Sequence, residues 1–160
     1  MRVEPYVLIL DTGPLWELVL YRAVNALGFY KLRTELRHLA TETYYDRLSQ
    51  FIAGFRQRTT TPQIVSEISS RVMRTERQGH IHIWDVVYNE FAALDERLVK
   101  LLEMPQALVA QFGAADVSIL KLGSTYPARA SVVLSIDSSL IAECQRAGLT
   151  AQHLWEVIAD

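Results

Sequence analysis

The chain has 160 residues, of which 50% are apolar and 21% are charged, and its formal net charge is −2. These values predict one globular domain over residues 1–160 with no general attraction to nucleic acid, so any such binding must come from a local basic patch. The single cysteine, Cys144, excludes an internal disulfide and no apolar run approaches membrane-spanning length, which favours a cytoplasmic protein without a membrane partner.

The first predicted element is a strand over residues 6–10, where five consecutive apolar residues indicate burial on both faces. Asp11 and Thr12 follow it, and then Gly13 and Pro14 end the strand and begin a helix. Asp11 is therefore expected where a buried strand emerges from the sheet. Open α/β sheets place their ligands at that edge.

Two helices are predicted next. An apolar stripe begins at Leu15 and ends at Gly28, and a second helix runs from about Arg33 to about Phe55, with apolar positions every three to four residues. The arginines on the polar side of the second helix are expected to be solvated.

Residues 58–61 are mostly β-branched and predict a short second strand, with Pro62 in the first turn of the helix that follows. The buried face of this helix carries Ile64, Ile68 and Val72. Glu67 lies at the border of that face, where a surface ion pair with Arg71 is its ordinary explanation.

The middle of the chain is less clear. Residues 83–94 predict a helix, whereas residues 98–102 fit either its end or a short central strand. Another segment runs from Pro105 to Gly113. Residues 114–123 then predict a small-residue helix closed by glycine, with Asp116 in its first turn.

Residues 130–136 predict a second core strand, followed by Asp137 and a helix that ends at Gly148. Residues 149–153 fit an edge strand, and residues 154–158 fit a terminal helical turn. This alternation of strands and helices predicts right-handed βαβ units and a parallel sheet covered on both faces.

Four acids share one predicted location. Each has an ordinary explanation, such as a helix cap, but the carboxyl ends of parallel strands and the helices after them meet at one edge of the sheet. Carboxylates gathered there repel unless protons or a cation join them, and oxygen ligands alone favour Mg²⁺ or Mn²⁺. Such an ion supports phosphodiester hydrolysis. The four residues are Asp11, Glu67, Asp116 and Asp137.

The chain resembles the PIN-domain nucleases over nearly its whole length, in residues 7–12, 61–67, 114–116 and 133–140. The resemblance implies a three-layer α/β/α fold with a short, mainly parallel sheet, and a divalent-metal-dependent ribonuclease that uses Mg²⁺ or Mn²⁺. Many members are toxins of the VapC type, which a partner antitoxin silences by occupying the cleft. The resemblance therefore implies RNA as substrate and raises an antitoxin and a second copy of this chain as partners.

By the same resemblance, the four acids would be the catalytic residues and the metal ligands, directly or through water. The hydroxyl of Thr12 would steady the Asp11 carboxylate, and Ser135 would do the same near Asp137. This chain departs from many members at Ser139, where they have a further acid. The segment between Asp11 and Glu67 is also longer than in compact toxin members, and its extra helix bears on the choice of partner and substrate.

Basic residues near the predicted edge are candidates for gripping an RNA backbone. The first are Arg56 and Arg58, just before the second strand, and Lys121, beyond Asp116 on its helix. Arg71 and Arg74 are further candidates.

Two rival interpretations come from other functional classes. Residues 11–13 are also the signature triplet of aspartic proteases, but those enzymes are mainly β-structured and the long predicted helices argue against them. The stronger alternative is a catalytically silent module of the nuclease fold that binds RNA or a protein partner.

Overall fold

The computed structural model describes residues 6–79 and 82–159. Five strands form one sheet in which every pairing is parallel. They are β1 (Val7–Leu10), β2 (Gln57–Thr60), β3 (Asp95–Glu96), β4 (Ser131–Ser135) and β5 (Thr150–His153). Their spatial order is β3-β2-β1-β4-β5, so β1 and β4 lie in the middle of the sheet and β5 lies at one edge, as predicted.

Helices connect these strands. The α-helices are α1 (Thr12–Ala26), α2 (Glu42–Ala53), α3 (Pro62–Gly79), α4 (Trp84–Phe91), α5 (Gln106–Phe112), α6 (Ala114–Ser124), α7 (Ser138–Arg146) and α8 (Leu154–Ile158). The described residues also contain two 3₁₀ segments, Tyr30–Glu35 and Leu101–Glu103. Within the described residues, no helix is both long and apolar enough to cross a membrane.

The centre of the sheet is covered on both faces. Every residue of β1 and of β4 is buried, and because successive side chains of a strand point to opposite faces, apolar layers must pack on both sides. Helices supply those layers. The predicted α/β class, with a parallel sheet between helical layers, is confirmed.

The long helix predicted from Arg33 is wrong in its first third. A 3₁₀ segment ends at Glu35, and α2 begins only at Glu42, where the side chain of Thr41 accepts a hydrogen bond from the Tyr44 backbone N–H. The intervening backbone turns toward Glu17, a buried residue of α1. Backbone N–H groups that would have served a helix bind this carboxylate instead, at 3.0–3.1 Å, and come from Arg37, His38 and Leu39.

Residues 98–102 are neither a helix end nor a strand. The two-residue edge strand β3 precedes this stretch, and the chain then forms the 3₁₀ segment Leu101–Glu103. Buried Val99 holds this stretch, since its carbonyl accepts a hydrogen bond from the Gln63 side chain at 2.8 Å.

Gly123 does not close α6, which runs on to Ser124. It lies inside the helix because a Cβ at this position would come within 2.7 Å of the Leu149 side chain. Close packing of the helix on its neighbour therefore explains this glycine better than a helix end does.

We predict that Glu17→Ala lowers the free energy of unfolding by about 2–4 kcal/mol, because three backbone N–H groups lose a charged acceptor. Urea denaturation checks this value. The control is Glu103→Ala, an exposed carboxylate, which should change stability by less than about 0.5 kcal/mol. Equal effects of both substitutions would show that the buried carboxylate does not hold the segment.

Candidate active site

Two of the four acids follow the two central strands. Asp11 comes directly after β1 and is the N-cap of α1, and Asp137 comes two residues after β4 and is the N-cap of α7. Because Leu10 is in register with Leu134, the ends of the two strands are level. The two carboxylates therefore lie at the same edge of the sheet, which is its carboxyl edge.

The first turn of α1 approaches the end of β4 closely. A Cβ on Gly13 would overlap Cγ1 of Ile136, which precedes Asp137. Only glycine leaves the present space for the Ile136 side chain here. This contact brings the helix cap at Asp11 next to the one at Asp137.

A chain of hydrogen bonds joins three of the acids. The Thr12 hydroxyl donates to Oε2 of Glu67 at 2.7 Å, and the Thr12 backbone N–H donates to Oδ1 of Asp11 at 2.6 Å. The Ser135 hydroxyl donates to Oδ2 of Asp11 at 2.6 Å, and accepts the backbone N–H of Asp137 at 2.9 Å. The chain therefore reaches from α3 across both central strands, and we call it the hydroxyl chain.

These bonds correct the expected partners of both hydroxyl groups. The Thr12 hydroxyl binds Glu67, whereas Asp11 receives only the Thr12 backbone N–H. The Ser135 hydroxyl donates to Asp11, and it meets Asp137 only as an acceptor of the backbone N–H. Both differences arise because Asp11 is buried between two elements, so it takes the nearest donors from each.

Glu67 also differs from expectation. It lies in the second turn of α3, on the exposed side of the helix. Among the described residues, no acid–base pair within 4.0 Å joins it to Arg71, so the surface ion pair that would have been its ordinary explanation is not formed.

Asp116 is positioned by hydroxyl groups that the sequence did not single out. The side chains of Thr61 and Ser118 share a hydrogen bond of 2.7 Å, which ties α6 to the residue just before α3. Thr60 likewise binds the carbonyl of Leu10 at 2.9 Å, next to Asp11. The signal was the threonine run at residues 59–61, which indicated only a β-branched strand.

The four acids are coupled through their charges. Burial raises the pKa of Asp116 to about 7, with further contributions from the charges of Asp11, Asp137 and Glu67. Burial also raises the pKa of Asp11, which the bonds from Ser135 and Thr12 partly offset. We call these four residues the acidic cluster.

The acidic cluster is not a closed metal cage. Across residues 6–79 and 82–159, no three His, Cys, Asp or Glu side chains are placed so that they could hold one ion between them. Asp11 is buried, Asp116 is half-buried, and Glu67 and Asp137 are exposed, so the cluster opens to solvent on one side. Cys144 is fully buried, and burial together with nearby carboxylates raises the pKa of its thiol to about 12, which suits core packing.

The basic residues first considered for RNA lie at different places. Arg56 precedes β2 at the amino edge of the sheet, opposite the acidic cluster, and Arg58 is level with Leu8, three residues before Asp11. Both are therefore poorly placed to contact RNA bound at the carboxyl edge. Lys121 is half-buried in α6, more than one turn beyond Asp116.

Cavities adjoin the acidic cluster. Glu67 lines one of about 610 Å³ together with Arg71 and Arg74, and lines another of about 420 Å³ together with Ala115 of α6. A third, of about 570 Å³, lies beside α7 and includes Arg37, which also lines the first. The acids therefore lie beside a concave, partly basic surface.

Comparisons of the sequence with protein-family models and with curated proteins find no match. Among solved structures, this chain is similar to a chain of VapBC2 from Rickettsia felis, in a structure with a DNA fragment from the VapBC2 promoter. The likeness covers 92% of this chain and 98% of the other, with a TM-score of 0.52 and 13% identity. The likeness concerns the fold and agrees with a PIN-like three-layer arrangement.

We predict that Asp116→Asn stabilises the protein in EDTA at neutral pH. The pKa of Asp116 is raised from 3.8 to about 7, so this carboxyl ionises in the unfolded chain at a lower pH than in the folded protein. The folded state therefore loses stability as the pH rises from about 4 to about 7, and this loss persists above about pH 7. The advantage of the variant should grow over that window to about 1–3 kcal/mol and then level off.

Chemical denaturation at several pH values measures this advantage. The matched control is Asp85→Asn, which removes an exposed carboxylate from the first turn of α4 and should show no comparable growth. A constant difference between Asp116→Asn and the wild type from pH 4 to pH 8 would contradict the coupling.

Proposed function

We propose that the protein is a divalent-metal-dependent ribonuclease, with Asp11, Glu67, Asp116 and Asp137 as catalytic residues at the carboxyl edge of the sheet. The observation that carries this proposal is the hydroxyl chain, which links the carboxylates of Asp11 and Glu67 through Thr12 and joins Asp11 to the backbone of Asp137 through Ser135. We further propose that residues 1–160 act as one domain, because β1 near one end of the chain pairs with β4 near the other.

The donor set of the acidic cluster fits a hard divalent ion. Its ligands are all carboxylate oxygens, and burial together with the charges of Asp11, Asp137 and Glu67 raises the pKa of Asp116 to about 7, so a bound cation would favour its ionised form. Mg²⁺ or Mn²⁺ held by the four acids, directly or through water, would neutralise that charge, orient an attacking water and offset charge on the leaving oxygen of a phosphodiester.

The protein's own groups prepare this site. Ser135 and the Thr12 backbone N–H fix both oxygens of Asp11, and the Thr12 hydroxyl fixes one oxygen of Glu67. Oδ1 of Asp137 accepts hydrogen bonds from the backbone at the N-terminus of α7, so its Oδ2 is the oxygen that could bind a ligand. Carboxylates that are already fixed in place avoid part of the cost of gathering like charges when a cation binds.

The likeness to VapBC2 supports a role as the toxin of a toxin–antitoxin pair. In that role, an antitoxin would be the protein partner and RNA the substrate. A homodimer is a further proposal, which measuring the mass of the protein in solution would test.

We predict that the wild type cleaves mixed RNA in Mn²⁺ or Mg²⁺ but not in EDTA, and that Asp11→Asn lowers the rate roughly 100-fold or more. Gel analysis of labelled RNA measures both effects. Asp85→Asn, which removes an exposed acid from the first turn of α4, should keep the wild-type rate.

The silent-module alternative makes a different forecast for the same samples. RNA that is bound but left intact by the wild type, in each of several divalent ions, would favour the module. Cleavage that persists in Asp11→Asn would point to a contaminating nuclease and contradict the assignment of the acids.

We also predict that either ion raises the melting temperature, because it binds the folded acids and relieves their repulsion. At a free Mn²⁺ concentration ten times the dissociation constant, the gain in the free energy of unfolding is about 1.4 kcal/mol. Asp116→Asn should lose most of this gain. No shift of the wild type at millimolar Mn²⁺ would argue against a metal site.

A further inference from the structure

The cavity of about 610 Å³ beside Glu67 has a regular basic wall. Along α3, Glu67, Arg71, Arg74 and Gln78 follow one another at spacings of four, three and four residues, and all line the cavity. Such residues share one face of a helix, and this row spans about 16 Å. One end of the row is therefore an acid of the cluster, and the rest leads away from it.

The opposite wall carries a third arginine on a fixed segment. Arg37 lies just after the 3₁₀ segment Tyr30–Glu35 and lines the cavity. Its backbone N–H donates to Oε1 of Glu17 at 3.0 Å. Glu17 is buried, so this end of the segment is fastened to α1. Trp16, the neighbouring residue of α1, is half-buried and also lines the cavity.

The lining of this cavity has more basic than acidic side chains, unlike the chain as a whole. Arg37, Arg71 and Arg74 face two carboxylates, Glu35 and Glu67, whereas the chain as a whole has a net charge of −2. Within the described ranges, none of the three arginines makes an ion pair shorter than 4.0 Å. Their guanidinium groups are therefore available to phosphate oxygens.

We propose that this cavity binds the single-stranded RNA that flanks the cleaved phosphodiester, an inference that rests on the proposed ribonuclease function. Arg71, Arg74 and Arg37 contact successive phosphates, and the Trp16 ring stacks on a base. An aromatic ring between basic side chains is the combination that single-stranded nucleic acid uses. The end of the cavity at Glu67 then places the RNA strand next to the acidic cluster.

The test measures binding without cleavage. In the Asp11→Asn background with Mg²⁺, the fluorescence anisotropy of a short labelled single-stranded RNA is titrated at several salt concentrations. We expect the triple change Arg37→Ala, Arg71→Ala and Arg74→Ala to raise Kd roughly tenfold or more. The slope of log Kd against log salt should fall by about 0.7 for each phosphate that the variant no longer neutralises.

The matched control is Arg56→Ala with Arg58→Ala, which removes basic charge near the amino edge and should change Kd less than about twofold. Trp16→Leu should weaken binding about tenfold, and Trp16→Phe should restore most of it. Circular dichroism and melting curves verify folding, and the Phe variant preserves the test if the Leu variant unfolds.

The outcomes separate this inference from the proposed function. If the wild type cleaves RNA but the triple variant binds as tightly as its parent, the cavity assignment fails and the ribonuclease stands. If no cleavage occurs in any ion but binding depends on the three arginines, the ribonuclease fails and the RNA site stands. Displacement of the RNA by polyglutamate at equal charge concentration would overturn the site, because it would show a general anion surface.

Discussion

Four carboxyl groups lie at the carboxyl edge of a parallel sheet, and their mutual repulsion is the constraint that the rest of the site must offset. Asp11 and Asp137 reach this edge because β1 and β4 are neighbours in register. Burial and mutual repulsion raise the pKa of Asp116 to about 7, which shows how strongly the arrangement opposes full ionisation. Ser135 and Thr12 offset part of that cost by donating to Asp11 and Glu67.

The helices and strands that form the core also position the four acids. Gly13 admits Ile136 beside α1, and the Thr61–Ser118 bond ties α6 to the start of α3. Small and hydroxyl-bearing residues therefore set the distances, while the apolar strands set the edge. This division explains why the proposed chemistry needs few polar residues in the centre of the sheet, and why a hydroxyl substitution there should affect both stability and activity.

The sequence predicted the features that depend on local pattern. The buried runs ending at Asp11 and Asp137, the proline that begins α3 and the strand–helix alternation all follow from neighbours in the chain. It could not predict that Glu17 would capture the backbone around His38, about twenty residues away, and so end the expected helix. It also missed β3, since two residues carry no periodicity. The residue types at the site were predictable, but their hydrogen-bond partners depend on side-chain direction across elements.

The most direct test of the account is an anomalous difference map from crystals soaked in Mn²⁺. We predict a peak at the carboxyl edge of the sheet beside the acidic cluster, and the loss of that peak in crystals of Asp116→Asn. A Mn²⁺ peak only elsewhere on the protein, or none at a concentration that supports cleavage, would contradict the claim that this edge is the metal-dependent centre.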